Sequence, residues 1–230
     1  MKEEILLAAE RLFAQKGFSK TTLRDLSRES GANTALVSYY FGSKKGLRRA
    51  VIERQLQRAL RTVGPVMDGD TIHQGEGLCA LFQGERVDEA AFLNVMDGVF
   101  ESIQSDPTFM RLMLAALTEN DAEVRDEMKH YLLEPLFNGV CEMIRKLVGP
   151  QSRISEVELK ARALLFCGQM HHYSLVKWSY IQEVATGVKM DEILASYRKI
   201  VINALLSLRS EFPHEPKPRQ EEAPSTELSL

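Results

Sequence analysis

The chain has 230 residues, of which 44% are hydrophobic and 27% are charged, and it is long enough to bury a core. No apolar run reaches the length of a membrane span, and three widely spaced cysteines (Cys79, Cys141 and Cys167) favour reduced thiols over a disulfide framework. The net charge of −3 is uneven, because residues 1–50 carry ten Lys and Arg against five Asp and Glu, which is typical of a segment that binds a polyanion.

Amphipathic helices separated by glycines are predicted for the first fifty residues. Apolar residues from Ile5 to Phe13 recur at helical spacing and predict a first helix. The predicted helix ends are marked by Gly17, Gly31 and Gly42, and the predicted starts by Thr21–Thr22 with Asp25, by Asn33 and by Ser43. The third helix is expected to be short and to reach Phe41, and the fourth to run to about Arg61.

The rest of the chain also shows helical periodicity and no strand-like alternation. The further predicted helices are Glu76–Gln83, Asp88–Ser105, Pro107–Thr118, Asp121–Leu147, Glu156–Glu183 and Met190–Glu211. A Gly-, Asp- and Pro-containing loop is predicted for Gly64–Gly75. The sequence from Phe212 onward is rich in proline and charge, which indicates a disordered tail.

The segment Thr21–Leu47 has the pattern of two short helices joined by a tight glycine-containing turn. This is the pattern of a helix-turn-helix, whose second helix enters the major groove of DNA. Val37 and Phe41 share the side of this helix that is expected to pack inward. Small residues and a tyrosine, which can approach base edges and phosphates closely, lie on the opposite side: Ala35, Ser38 and Tyr39.

Two lysines and two aromatic residues at the end of the motif have alternative interpretations. Lys44 and Lys45 begin the next helix, where backbone N–H groups and lysine charge together suit a phosphate, and the alternative is an ordinary surface lysine. Tyr40 and Phe41 are candidates either for the core or for DNA contacts. The basic charge of this segment indicates either that it binds nucleic acid or that basic residues cluster there by chance.

The motif also resembles a known family. G-F-x-x-T-T-x-x-D-L at residues 17–26, followed by G-A-N-T-A-L-V-S-Y-Y-F-G-S-K-K-G-L at residues 31–47, resembles the TetR/AcrR regulators. The resemblance covers Ile5–Ile52. It implies a helix-turn-helix head on a divergent helical body that binds a ligand and dimerises through two C-terminal helices.

Residue by residue, the resemblance implies DNA contacts in the head. The predicted DNA-binding residues are Thr22, Arg24, Asn33, Thr34, Ala35, Leu36, Ser38, Tyr39, Tyr40 and Lys44. Thr22 and Lys44 correspond to phosphate contacts and Thr34–Leu36 to the base-reading start of the recognition helix. Ser38 stands where the family usually has tyrosine, so that phosphate contact is missing unless Tyr39 or Tyr40 takes it over.

The resemblance divides the chain into a DNA-binding domain at residues 1–46, a ligand-binding and dimerisation domain at residues 47–211 and a disordered tail at residues 212–230. It implies a transcriptional regulator, not an enzyme, that represses by binding a palindromic operator as a homodimer and is released by a small hydrophobic or aromatic effector. We expect a cytoplasmic protein, because the start of the chain lacks the features of a signal peptide. We expect no cofactor.

Predicted sites in the body rest on apolar composition. The predicted effector-binding residues are Phe92, Met96, Phe100, Met113, Met170, Tyr173 and Trp178, for which ordinary core packing is the alternative. The predicted dimer-interface residues are Leu164, His171, Leu175, Tyr197, Val201 and Leu205. The alternative is that the two helices that carry these residues form the central core of a monomer.

Metal binding and catalysis are not predicted. Cys167 and His171 lie one helical turn apart and His172 is adjacent, but two ligands on one face make no metal site, and only His130 could add to them. No phosphate-binding glycine loop, nucleophile elbow or paired metal motif indicates an enzyme.

A DNA-bending protein would need a basic body, whereas this body is acidic. The sequence does not separate a repressor from an activator.

Overall fold

The computed structural model describes residues 1–63, 87–150, 152–178 and 187–212. Within these ranges all regular structure is helical, which confirms the predicted all-α class. In chain order the α-helices are α1 (Lys2–Lys16), α2 (Leu23–Ser30), α3 (Thr34–Phe41), α4 (Lys44–Val63), α5 (Glu89–Ser105), α6 (Thr108–Leu117), α7 (Ala122–Met128), α8 (Glu134–Val148), α9 (Glu156–Trp178), α10 (Met190–Leu206) and α11 (Leu208–Glu211). Among the described residues, none of the helices combines the length and the apolar character needed to cross a bilayer.

The first three helices begin and end where the local sequence signals predict. Thr22 and Asp25 cap α2 reciprocally, and the side chain of Asn33 caps α3. Gly17 follows α1 and Gly31 follows α2 with φ angles of 86° and 70°, a region of backbone space that suits glycine. These caps fix the lengths of the helices and therefore the way in which they can pack.

A head cluster of buried apolar side chains holds α1 to α4 together. In these helices and the turns between them it includes Ile5, Phe13, Phe18, Leu26, Val37, Leu47 and Val51. The same cluster continues into α6, α7 and the following turn through Leu112, Ala116, Val124, Met128 and Leu132. The first four helices therefore share their core with part of the body.

The predicted helix Asp121–Leu147 is divided in the structure. A π-helical segment, Lys129–Leu133, separates α7 from α8. Pro135 follows at the start of α8, and because proline has no backbone N–H it cannot donate to a carbonyl one turn earlier. The N–H of Glu134 donates instead to the carbonyl of Lys129, five residues back, which is the spacing of a π-helix.

A second group, the body cluster, lies between α5, α8, α9 and α10. Phe100 of α5 and Tyr173 of α9 are fully buried there, with ring centroids 4.8 Å apart in an edge-to-face arrangement. Leu194 and Val201 of α10 complete the same cluster. Of the predicted elements, Glu76–Gln83, the loop Gly64–Gly75, the end of the helix after Trp178 and the tail from residue 213 lie outside the described residues.

Candidate nucleic-acid interface

α3 presents one buried side and one exposed side. Val37 is buried in the head cluster, and Tyr40 and Phe41 are half-buried against it. The exposed residues of the helix form what we call the α3 surface: Thr34, Ala35, Ser38 and Tyr39. Tyr39 is 79% exposed and its ring lies edge-on to that of Tyr40, at 5.1 Å between centroids. The helix therefore offers small polar groups and one aromatic ring to a partner.

The beginning of α3 is fixed by Asn33. Its Oδ1 accepts a hydrogen bond from the backbone N–H of Leu36 at 2.9 Å, so this side chain orients the first turn of the helix. Leu36 is half-buried beside the head cluster, whereas Thr34 and Ala35 are exposed. Of the three residues predicted to read bases, two are thus exposed and Leu36 is only partly accessible.

The start of α2 carries a carboxylate that stays ionised. Asp25 Oδ2 accepts hydrogen bonds from the backbone N–H of Thr22 at 3.0 Å and from its hydroxyl at 2.8 Å, and Lys16 Nζ lies 3.0 Å from Oδ1. These hydrogen bonds, with Lys16 adding to them, hold the pKa of Asp25 well below its ordinary value. Thr22 and the exposed Arg24 lie at the predicted DNA-binding surface, with the Thr22 polar groups already bound to Asp25.

Lys44 occupies a more enclosed position than a surface lysine. Its Nζ donates to the backbone carbonyl of Ser19 at 3.0 Å, and the side chain is half-buried. Burial lowers the pKa of Lys44, and the nearby charge of Arg48 acts in the same direction. The lysine therefore ties the beginning of α4 to the turn between α1 and α2.

Glu119 connects this turn to the body and was not predicted from the sequence. Its carboxylate accepts from the Ser19 backbone N–H at 3.1 Å and from the Ser19 hydroxyl at 2.7 Å. It also accepts from the backbone N–H groups of Asn120 and Asp121, at 2.9 and 3.0 Å. These bonds oppose the effect of burial, and the pKa of Glu119 is lowered overall. No local pattern pairs residues 100 positions apart.

A buried ion cluster forms a second joint between head and body. Glu127 is buried and pairs with both Arg48 and Arg49 of α4, with Arg48 Nε 3.2 Å from Oε2 and Arg49 Nε 3.2 Å from Oε1. The Arg49 guanidinium also lies over the Tyr131 ring, 4.0 Å from its centroid. Since α4 follows directly on α3, this joint fixes the α3 surface relative to α7.

The predicted effector-binding residues are not all brought together. Phe92, Met96, Phe100 and Tyr173 are buried in the body cluster, and Trp178 donates from Nε1 to the Ile103 carbonyl at 2.9 Å. Only Met113 and Met170 line an apolar cavity of about 140 Å³ between α4, α5, α6, α8 and α9. The cavity also contacts Leu56, Cys167 and His171, which were not predicted for it.

The predicted dimer-interface residues also separate in the structure. Leu164 and Leu175 are exposed, at 63% and 46%, whereas Val201 and Leu205 are buried within the protomer and have no surface left for a partner to cover. Tyr197 and His171 are half-buried, and the Tyr197 hydroxyl donates to the Gln169 carbonyl at 2.9 Å. We define the α9–α10 face by its exposed apolar side chains: Val157, Leu164, Leu165, Leu175 and Ile200.

The described part of the chain contains no cluster of three metal-ligating side chains. Cys167 and His171 contact each other through the backbone, with His171 Nδ1 3.0 Å from the carbonyl oxygen of Cys167. Burial raises the pKa of the Cys167 thiol to about 11, so this cysteine carries its proton at neutral pH.

Comparison with known proteins supports the assignment of the head. Residues 5–51 match the family described as bacterial regulatory proteins, tetR family. Over 46 residues the chain is 46% identical to the Bacillus subtilis protein named probable HTH-type transcriptional regulator YttP, and over 58 residues it is 43% identical to B. subtilis YfiR, named an uncharacterized HTH-type transcriptional regulator. These matches cover 20% and 25% of this chain and 22% and 28% of the two relatives, so they span about a quarter of each relative.

The fold extends the likeness beyond the head. The structure of the fatty acid degradation regulator FadR from Bacillus halodurans superposes on this chain with a TM-score of 0.55 at 13% identity. The superposition covers 89% of this chain and 95% of FadR. This likeness concerns the fold alone. Residues 5–51 therefore carry a tetR-type helix-turn-helix head, and the described chain shares its all-helical fold with FadR.

Proposed function

We propose that this protein is a dimeric transcriptional repressor that binds a palindromic operator in the cytoplasm and is released by a small apolar effector. The observation that carries the proposal is the α3 surface. Thr34, Ala35, Ser38 and Tyr39 are exposed together on a capped helix whose opposite side is anchored by Val37. A rigid helix with small exposed residues can enter the major groove and approach base edges closely.

Charge around this surface supports DNA as the partner. The first 50 residues have a balance of +5, since ten Lys and Arg face five Asp and Glu, whereas the whole chain has a net charge of −3. Arg24 and Lys45 are exposed, and Lys44 is held at the beginning of α4. Phosphate contacts of this kind position a protein on DNA, while the α3 surface would supply sequence preference.

The α9–α10 face supports a homodimer. Val157, Leu164 and Leu175 follow one another along one side of α9, and Ile200 is 66% exposed on the neighbouring α10. Exposed apolar side chains on two neighbouring helices favour an interface, and two such helix pairs can form a four-helix bundle about a twofold axis. The dimer would set its two α3 helices about one DNA turn, roughly 34–36 Å, apart.

Release by an effector is proposed as thermodynamic linkage. The cavity between α4 and α9 is lined by Leu56 of α4, the helix that also carries Lys44 and Arg48. A ligand that favours one position of α4 over another changes the angle of the heads and thus the affinity for the operator. The change in affinity is limited by the difference in ligand affinity for the two states.

The test is binding of the full chain to a duplex taken from its own promoter region. We expect affinity to fall by several orders of magnitude between about 50 and 200 mM salt, because bound phosphates release counterions. A duplex of the same length and composition with scrambled half-sites is the control and should bind far more weakly. Salt-insensitive binding, or equal binding to both duplexes, contradicts the proposal.

Repression is tested separately from binding. In transcription from the same promoter in vitro, the protein should reduce transcript yield, since an operator that overlaps the promoter excludes the polymerase. An increase in transcript yield would contradict the repressor assignment while leaving DNA binding intact. An Ala35→Glu variant, which places a like charge against the DNA phosphates, is the control and should abolish both effects.

A further inference from the structure

Ser19, in the turn between α1 and α2, has all three of its polar groups engaged. Its backbone N–H donates to Glu119 Oε2 at 3.1 Å, and its hydroxyl donates to Glu119 Oε1 at 2.7 Å. Its backbone carbonyl accepts from Lys44 Nζ at 3.0 Å. One residue of the head therefore links a carboxylate of the body to the lysine at the beginning of α4.

Glu119 is held firmly enough to fix this turn. It is 8% exposed and lies between α6 and α7. Besides the two groups of Ser19, its carboxylate accepts from the backbone N–H groups of Asn120 and Asp121. Four donors on one carboxylate leave the side chain little freedom to rotate. Ser19 is thus bound at two atoms to a well-fixed acceptor, and this gives its carbonyl a defined direction.

The Ser19 carbonyl in turn orients the ammonium group of Lys44. An ammonium group has three N–H donors, and the bond to Ser19 uses one of them, so Lys44 can hold the turn and bind a phosphate at the same time. The lysine side chain is also half-buried, which restricts its other rotamers. A lysine that is already ordered loses less conformational entropy when it binds a partner.

We propose that Glu119 is a positioning residue for DNA binding, which fixes Ser19 and thereby holds the Lys44 ammonium group in place for an operator phosphate. This inference rests on the proposed function and adds to it a residue of the body that acts through the head. The sign of its effect follows from its charge. A carboxylate near DNA repels the phosphates, so loss of the charge alone would favour binding, whereas loss of the positioning weakens it.

The test is the affinity of the full chain for a duplex from its own promoter region. Glu119→Gln keeps the size of the side chain but has one acceptor oxygen in place of two, so it cannot accept from all four donors. We expect affinity to fall by about three- to fivefold, the factor of ordering one lysine side chain on binding. Glu123→Gln, at an exposed position of α7, removes the same charge and should leave affinity unchanged or slightly higher. Unchanged or increased affinity of Glu119→Gln would overturn the proposal.

A double-mutant cycle distinguishes positioning from a general loss of structure. In a Lys44→Ala background the ammonium group is gone, so Glu119→Gln should no longer weaken binding. The same loss in both backgrounds would show that Glu119 acts on the fold of the head as a whole, and would overturn the proposal. Ser19→Ala removes only the hydroxyl donor and serves as a milder second variant. It should show a smaller loss with the same dependence on Lys44.

A measurement without DNA separates this inference from the proposed function. Burial and the nearby Arg48 lower the pKa of Lys44, and the charge of Glu119 opposes them. In Glu119→Gln the pKa of Lys44, followed by NMR of isotope-labelled lysine, should therefore fall further, whereas Glu123→Gln should leave it unchanged. If Lys44→Ala weakens DNA binding but Glu119→Gln changes neither affinity nor this pKa, the proposed function stands and the positioning role is wrong. If the unaltered protein does not bind its duplex, both are contradicted.

Discussion

The α3 surface and the α9–α10 face are both exposed helical surfaces, but their chemistry is opposite. The α3 surface consists of small residues and Tyr39, placed beside lysines and arginines. The α9–α10 face is made of leucine, isoleucine and valine, with Leu164 63% and Ile200 66% exposed. A polar surface is well hydrated and needs no cover, whereas covering an exposed apolar stripe lowers the free energy.

The difference teaches how two partners can be distinguished on one chain. Binding of DNA beside the α3 surface would release counterions from phosphates that meet the neighbouring lysines and arginines, so the affinity should depend on salt. Association through the α9–α10 face would be largely insensitive to salt and would depend on protein concentration. Variants on the two surfaces should therefore fail in different assays, and each of the following predictions uses that contrast.

The largest expected effect follows from a charge on the apolar face. Leu164→Glu should convert dimers to monomers in sedimentation, since a carboxylate would be buried without a partner. Operator affinity should fall by about 100-fold or more, because two linked half-sites no longer act together. Lys199→Glu, an exposed charge change on α10, is the control and should remain dimeric. Dimeric Leu164→Glu would place the interface elsewhere.

The buried ion cluster between head and body should show an effect of similar size. Glu127→Ala leaves the buried Arg48 without its carboxylate and should lower the free energy of unfolding by about 3–5 kcal/mol in urea. Glu134→Ala removes an exposed partner of Lys129 and should cost at most about 1 kcal/mol. Combining Glu127→Leu with Arg48→Met should restore most of the loss. Equal effects of the two single variants would contradict a buried joint.

A smaller effect is expected at the start of α4. Lys44→Ala should weaken binding to all DNA sequences by about tenfold and reduce the slope of log affinity against log salt by about one unit. Lys45→Ala, at the exposed neighbouring position, shows how much of this effect any lysine would give. A change in sequence preference without loss of affinity would contradict a phosphate role for Lys44.

The smallest effect concerns the capping carboxylate of α2. Asp25→Asn should lower the Tm by a few degrees at pH 7, because the hydrogen bonds and Lys16 that hold the pKa of Asp25 down stabilise its charged form. This contribution is complete above the ordinary pKa of 3.8 and is lost as the pH falls towards the lowered value, so the two proteins should converge in acid. Glu29→Gln, which breaks an exposed pair with Arg11, should show a smaller difference. If the Tm values of the two proteins converged at high pH instead, ionised Asp25 would not be stabilising.

What could be predicted from the sequence depended on how local the signal was. The caps at Thr22 and Asn33 and the glycines after α1 and α2 act within a few residues, and all of them were predicted. The π-helical turn was missed, although Pro135 carried the signal because it has no N–H to donate.

Contacts between distant residues could not be predicted in this way. Ser19 and Glu119 are 100 positions apart, and Arg48 and Glu127 are 79 apart, so no window of sequence contains either pair. The apolar stripe of α10 shows a related limit. Periodicity identifies a side that must be covered, but it does not say whether the chain itself covers it, as for Val201, or leaves it exposed, as for Ile200.

The head cluster that runs from α1 into α6 and α7 has a consequence for protein engineering. A fragment cut after α4 would expose the apolar side chains that pack on Leu112, Met128 and Leu132, and it would strand Arg48 without Glu127. We therefore expect the isolated fragment to be unstable. A chimera made to transfer the proposed DNA preference to another helical body should carry α6 and α7 with the first four helices, or should exchange only the residues of α3.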